Sequence, residues 1–303
     1  MRWVHPLVFI LWVYYLPATR AFSSCSSNDK DLLIIGLGRC GLQVAKQALP
    51  HFRHVYGTIR TPIDSSDQDG VHRIPMEAVP SILPTCSHAL LTLPPTSQHT
   101  VLWPLLSSLP WIGLISTTSV YGNHNGGWVT EGSPCHNRES PYLSWEQSWP
   151  QARIFRCAGI YSADRSALHT VWQQGLSIDN NDTTSPTSRI HVDDLARAIV
   201  ASMMQSPSSP HRIYNLADDC PAPRSTVMQY AAELLQNQVG VSIPVAEKSS
   251  TPTTTRTRRR LTDRKQVDNT RMKQELLSVL WYPTYREGLQ AIVQDRTNPW
   301  WSA

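Results

Sequence analysis

From Asp31 onward, short unbroken apolar runs alternate with stretches in which apolar residues recur every three or four positions. Asp31-Leu32-Leu33-Ile34-Ile35 is a run of the first kind, and its lack of polar alternation predicts a strand covered on both faces. Leu42, Val44, Ala45, Ala48 and Leu49 then recur at helical spacing until Pro50 stops the pattern. Further strands are predicted over His54–Arg60, Ala89–Leu93, Trp111–Thr117, Ala152–Ala158, Arg189–Val192 and Ile213–Leu216. The helix after Arg189–Val192 carries Leu195, Ile199 and Met203 on one face, with Asp193 or Asp194 as its N-cap. Ser225 is placed to cap a helix that turns Val227, Met228, Ala231, Leu234 and Leu235 inward. Asn269 is placed to cap another, and Tyr285–Val293 is a final amphipathic stretch.

Strands alternating with helices imply right-handed crossovers and a parallel, doubly wound α/β sheet. The late helices read as a small, mostly helical lobe closing over the carboxyl ends of the strands. The chain divides on this pattern into a leader (1–30), an α/β domain (31–220) and a C-terminal lobe (221–303).

The leader changes the picture of where the protein works. Arg2 is followed by the ten-residue apolar run Leu7–Leu16, too short to span a bilayer core of ~30 Å and suited to a signal peptide. Thr19-Arg20-Ala21 offers small residues at the cleavage positions. Phe22 and the serine-rich Ser23–Ser27 after it are similar to the two-part plastid presequence of algae with secondary plastids. A plastid stroma is therefore the expected location, with an ordinary secretory leader as the alternative, and no membrane span is expected in the mature chain. Cys25, Cys40, Cys86, Cys135, Cys157 and Cys220 are scattered without Cys-x-x-Cys spacing, which gives a zinc site no support and suits a reducing compartment.

The 303 residues are 41% hydrophobic and 17% charged, which excludes wholesale disorder. The formal charge of +4 is modest, and Arg256, Arg258, Arg259, Arg260, Arg264 and Lys265 follow a Ser/Thr/Pro stretch. That run reads as a solvated basic loop, so no nucleic-acid partner is expected.

Candidate chemistry begins at Gly36-Leu37-Gly38-Arg39-Cys40-Gly41, a G-x-G-x-x-G immediately after a strand and opening a helix. The first glycine makes a tight turn and the second admits a pyrophosphate to the backbone. The third allows helix and strand to pack closely, and the helix N-terminus receives the phosphates. This is the Rossmann-type dinucleotide loop. NAD-specific sites place a carboxylate at the end of the second strand, about 20 residues on. Here that strand ends Gly57-Thr58-Ile59-Arg60-Thr61, and no acid follows until Asp64. Arg39 and Arg60 are placed to reach a 2′-phosphate instead, so NADP is the expected cofactor, with NAD as the alternative.

The glycine loop belongs to a longer set of segments: Ser116–Gly122, Arg156–Tyr161, Arg189–Asp194, Tyr214–Asp219 and Tyr282–Leu289. In that order they resemble the extended short-chain dehydrogenase/reductases, in particular the atypical NAD(P)-dependent epimerase/dehydratase-like branch. The resemblance runs from Asp31 almost to the C-terminus. It implies that the active Ser/Thr falls on Thr117, beside Ser116, and that the family's tyrosine falls on Tyr142. The family's lysine, four residues on, would bond the nicotinamide ribose and help the tyrosine ionise. Glu146 stands there. An ionised carboxylate one helix turn from Tyr142 raises the phenol pKa, and Arg138 and Arg156 are the nearby cations by sequence. His191, beside a strand and a helix start, reads as a structural hydrogen-bonding residue.

The resemblance implies an NAD(P)-dependent oxidoreductase or epimerase/dehydratase-like enzyme on a sugar-like or nucleotide-linked small molecule, with Tyr142 as proton donor and Thr117 orienting the oxygen. A homodimer is compatible with it. The alternative is a non-catalytic NADP-binding redox sensor or assembly factor that kept the loop and lost the base.

Overall fold

A computed structural model describes residues 30–295 apart from 61–68, 96–102, 179–184, 207–208 and 248–263. The leader, Cys25, Asp64 and the run Arg256–Arg260 lie outside the described residues. The strands are β1 (Asp31–Ile35), β2 (His54–Thr58), β3 (His72–Ile74), β4 (Cys86–Leu91), β5 (Trp111–Thr117), β6 (Trp128–Val129) and β7 (Arg153–Cys157). They continue as β8 (Gly159–Tyr161), β9 (Leu176–Ile178), β10 (Arg189–His191), β11 (Ile213–Leu216), β12 (Val245–Glu247) and β13 (Gln266–Val267). The α-helices are α1 (Arg39–Ala48), α2 (Val79–Ile82), α3 (Trp103–Leu106), α4 (Pro141–Ser148), α5 (Ala167–Gln174), α6 (Val192–Met204), α7 (Arg224–Leu234), α8 (Thr270–Glu275) and α9 (Tyr285–Gln294).

Seven strands form one sheet in the order β11-β7-β5-β4-β1-β2-β3, and every neighbouring pair is parallel. β1 is buried at all five positions, as its unbroken apolar run requires of a strand covered on both sides. Leu32 and Ile34 pack with Val44, Ala45 and Ala48 of α1 and with Leu195 and Ile199 of α6. Leu33 and Ile35 face the opposite layer with Leu91, Leu114, Trp145 and Trp149. The chain order reverses direction between β1 and β4, which sets a ligand crevice at the carboxyl ends of those strands.

The last part of the chain is not wholly set apart from the sheet. β13 pairs with β6, and α8 packs on β11. The separate lobe core is built by α5, α7 and α9 around Leu168, Val171, Val227, Ala231, Leu289 and Ile292. Two caps differ from expectation. His191, not Asp193 or Asp194, is the N-cap of α6 and accepts from Asp193 N. The α7 helix starts at Arg224 behind Pro223, so Ser225 is already inside it.

Candidate dinucleotide and catalytic site

β1 closes on Gly36, whose φ of +101° is a backbone state that glycine alone adopts without strain. Its N–H donates to Thr58 Oγ1 at 2.8 Å, Leu37 N donates to Thr58 O at 2.8 Å, and the Thr92 hydroxyl donates to Gly36 O. The loop is thus pinned between the ends of β2 and β4. A Cβ on Gly41 would stand 2.3 Å from Gly36 O, so this glycine is what lets α1 seat against the turn. A Cβ on Gly38 would meet nothing within 4 Å. The protein leaves that side of the loop open, where a diphosphate needs the backbone. Each glycine meets the requirement of a dinucleotide cradle, and the residues present fit a nicotinamide dinucleotide.

The two arginines assigned to the cofactor have different fates. Arg60 is exposed just beyond β2. Arg39 is turned to Asp164 instead, with Nε 2.7 Å from Oδ1 and Nη2 2.6 Å from Oδ2. That bond raises the Arg39 pKa and lowers the Asp164 carboxyl to about 2. Cys40 lines the loop through its backbone, while burial pushes its thiol pKa up. Arg39 and Asp164 also rim a cleft of about 760 Å³ between α1, α6 and α9, lined as well by Lys46, Asp193 and Asp295.

Thr117 ends β5 and its hydroxyl accepts from Ser119 N, capping the 3₁₀ turn Thr118–Tyr121. Tyr142 sits in the first turn of α4, half-buried, and α4 packs on β5. Burial raises the Tyr142 pKa, and the Cys157 thiol adds to it. The raised value was expected from Glu146, but the structure assigns a different cause. Glu146 faces away into the interior, where Ser116 Oγ donates to Oε1 at 2.5 Å and Arg156 Nη2 donates to Oε2 at 2.7 Å. Both charged side chains are at most 5% exposed. Burial opposes the Arg156 charge, and the Glu146 carboxylate more than offsets it, so the arginine pKa stands above its ordinary value. The guanidinium also lies 4.9 Å from the centre of the Tyr121 ring, whose hydroxyl donates to Asn215 Oδ1 at 2.7 Å. Burial pushes that phenol up to about 12.

His191 is structural. Burial lowers it to about 4, so its neutral Nδ1 accepts from Asp193 N at 3.2 Å. The Asp193 carboxylate 3.5 Å away is then no ion-pair partner. Sequence reasoning missed Asp164, which nothing in its loop announces. It also missed the destination of Arg156, for which there was a signal: an arginine inside an apolar strand needs a buried acid. A third cluster went unread as well. Tyr161 Oη, Arg189 Nη1 and Asp218 Oδ2 are buried without a hydrogen-bond partner among the described residues, and burial raises Asp218 to about 8.

No family model matches the chain, and no curated protein does either. Solved structures do. A conserved protein of unknown function from Silicibacter pomeroyi is 30% identical over 88% of this chain and 99% of its own, with a TM-score of 0.74. A putative NAD-dependent epimerase/dehydratase from Methylobacillus flagellatus is 23% identical over 89% and 100%, with a TM-score of 0.65. UDP-glucose 4-epimerase from Bifidobacterium longum, solved with NAD+ and UDP, is 15% identical over 88% and 98%, with a TM-score of 0.68. The fold is that of the extended short-chain dehydrogenase/reductases. The chain belongs to the family of the Silicibacter pomeroyi protein and shares the fold of the NAD-dependent epimerase/dehydratase structures.

Proposed function

We propose that the protein is a nicotinamide-dinucleotide-dependent oxidoreductase of epimerase/dehydratase-like type, preferring NADPH and reducing a sugar-like or nucleotide-linked carbonyl compound. The observation that carries this reading is the Gly36–Gly41 cradle at the carboxyl end of β1, in a sheet that also presents Thr117 at the end of β5. The nicotinamide, when bound, supplies the hydride chemistry. The N–H groups at the start of α1 receive the phosphates, and Arg60 meets the 2′-phosphate. Thr117 orients the substrate oxygen and Tyr142 gives it a proton. Burial moves the Tyr142 phenol further above neutral pH, so it starts protonated, as a proton donor must. The substrate class is supported by the relatives: structures of UDP-glucuronic acid 4-epimerase from Bacillus cereus and of the Bifidobacterium longum epimerase hold NAD beside a uridine nucleotide.

A second reading, a non-catalytic dinucleotide-binding sensor or assembly factor, is favoured by one observation. The lysine position is filled by an acid whose charge is spent on Arg156. Titrating NADPH and NADH by tryptophan fluorescence, then following NADPH oxidation over a carbonyl library rich in nucleotide-linked sugars, separates the two. NADPH is expected to bind at least ~10-fold more tightly than NADH, the worth of one charge-assisted contact to the 2′-phosphate. Arg60→Ala should erase the difference. Tyr142→Phe should cut turnover by at least ~100-fold while leaving NADPH affinity intact. Full activity in Tyr142→Phe rejects the assignment, and tight NADPH binding with no turnover on any carbonyl hands the protein to the second reading.

A further inference from the structure

Arg39 is the first residue of α1 and follows Gly38 directly, so its backbone stands at the phosphate end of the crevice. Its side chain crosses to Asp164, 125 residues away in sequence, with three donor–acceptor distances between 2.6 and 2.8 Å. Asp164 lies in the short loop between β8 and α5 and is held from its other side by Ser162 Oγ, which donates to Oδ1 at 2.7 Å. Ser162 and Arg165 exchange backbone hydrogen bonds at 3.1 Å, which fixes that loop, and Ser166 caps the helix after it. The carboxylate is therefore presented by a closed turn.

In the sheet, β1 and β7 are separated by β4 and β5, and β8 follows β7 after a single residue. The ion pair thus joins the carboxyl end of β1 to that of the β7–β8 segment, beside the point where the strand order reverses. It remains within reach of solvent, the two side chains being 36% and 57% exposed. Such a pair is weakly held and exchanges partners readily. An Arg–carboxylate fork and an Arg–phosphate fork use the same donors, so the guanidinium cannot serve both fully at once.

We propose that Asp164 is a cofactor-affinity-determining residue that competes, within this chain, with the dinucleotide's phosphates for the Arg39 guanidinium. The proposal rests on the dinucleotide-binding reading and deepens it. An incoming diphosphate displaces a carboxylate of the protein itself, so Arg39 contributes less to affinity than its position promises. The competition acts on the diphosphate, which NADH and NADPH share, while Arg60 remains the residue that tells them apart.

The test is a double-mutant cycle read by tryptophan fluorescence with NADH and NADPH as probes. Asp164→Asn removes the competing charge and keeps a side chain for Ser162. Both dissociation constants should fall about two- to fivefold, the fold-change that corresponds to the coupling of an exposed ion pair. The gain should vanish in Arg39→Gln/Asp164→Asn, and Arg39→Gln should weaken binding more in the Asp164→Asn background than alone. Asp164→Ser, checked by thermal melting beside the first variant, repeats the measurement if Asp164→Asn is poorly folded. Unchanged or weaker binding of both dinucleotides in these variants, with the wild type binding normally, overturns the proposal and leaves the dinucleotide reading standing. A wild type that binds neither dinucleotide overturns both.

Discussion

Glu146 occupies the position from which a lysine would help ionise Tyr142, and it lies among groups that only an acid satisfies. Ser116 Oγ and the Arg156 guanidinium both donate to it in a region closed to water. Glu146→Lys, which the sequence alone presents as a repair, would instead set a second cation against buried Arg156 and strand the serine. We expect it to destabilise the fold by at least about 3–5 kcal/mol, the cost of breaking a buried pair by removing one partner. Glu146→Gln, which keeps the acceptor but not the charge, should cost about 1–3 kcal/mol. Urea denaturation measures both, and a near-native midpoint for Glu146→Lys would mean that Arg156 takes another partner. At this scale the sequence located Thr117 and Tyr142 on their elements. The pairing of Glu146 with Arg156 stayed hidden because it joins α4 to β7 across the side of the sheet, where helical spacing carries no information.

Among the elements, the glycine loop was legible in full, because each glycine answers a separate steric demand. The second and third, Gly38 and Gly41, should therefore fail in different ways. Gly38 has φ −80° and ψ −167°, which alanine adopts freely, and open space beyond it. Gly38→Ala should fold with unchanged or slightly raised stability, up to ~1 kcal/mol from the loss of backbone freedom in the unfolded chain. It should nonetheless bind NADPH at least ~10-fold more weakly, since the methyl group fills the phosphate's approach. Gly41→Ala drives its methyl group into Gly36 O and should lower the melting temperature, with a cost of about 1–3 kcal/mol for overpacking. Thermal melts set beside NADPH titrations decide the matter, and equal destabilisation by both changes would contradict this reading of the loop. The longer strands followed from periodicity, whereas of the predicted caps only Asn269 stands where expected, at the N-cap of α8 without a side-chain cap bond. A carboxylate at the start of α6 looked like a cap, yet Asp194 instead accepts Trp281 N and Tyr282 N, each at 2.8 Å. The Thr284–Glu287 capping box of α9 was present in the sequence and went unread. Of the two- and three-residue strands, β10 was marked in the sequence, while β3, β6, β8, β9, β12 and β13 are too short for a period to mark them.

Across the whole molecule, the buried titratable groups act on stability with opposite signs. His88 and His191 are each lowered by burial from 6.5 to about 4. Between those values they are protonated in the unfolded chain and neutral in the folded one, so stability is lost as pH falls from 6.5 toward 4. Asp218 is raised by burial from 3.8 to about 8, the Arg189 charge only partly opposing it. It keeps its proton when folded and loses it when unfolded, so its contribution is lost as pH rises from 3.8 through about 8. Of these three groups, from about 4 to 6.5 the two histidines hold extra protons in the unfolded chain against one extra aspartate proton in the folded chain, and their joint contribution to stability rises with pH. From 6.5 to about 8 only the aspartate term acts, and stability falls by about 1.4 kcal/mol per pH unit at most. The three groups together predict a maximum near pH 6.5. Asp218→Asn, which mimics the protonated acid beside Tyr161 and Arg189, should leave the acid limb in place and flatten the limb above the maximum. Urea midpoints taken at intervals from pH 5 to 9 would test this. A descending limb that persists unchanged in Asp218→Asn would show that another group carries it and that the Asp218 carboxyl does not keep its proton to about pH 8 in the folded chain.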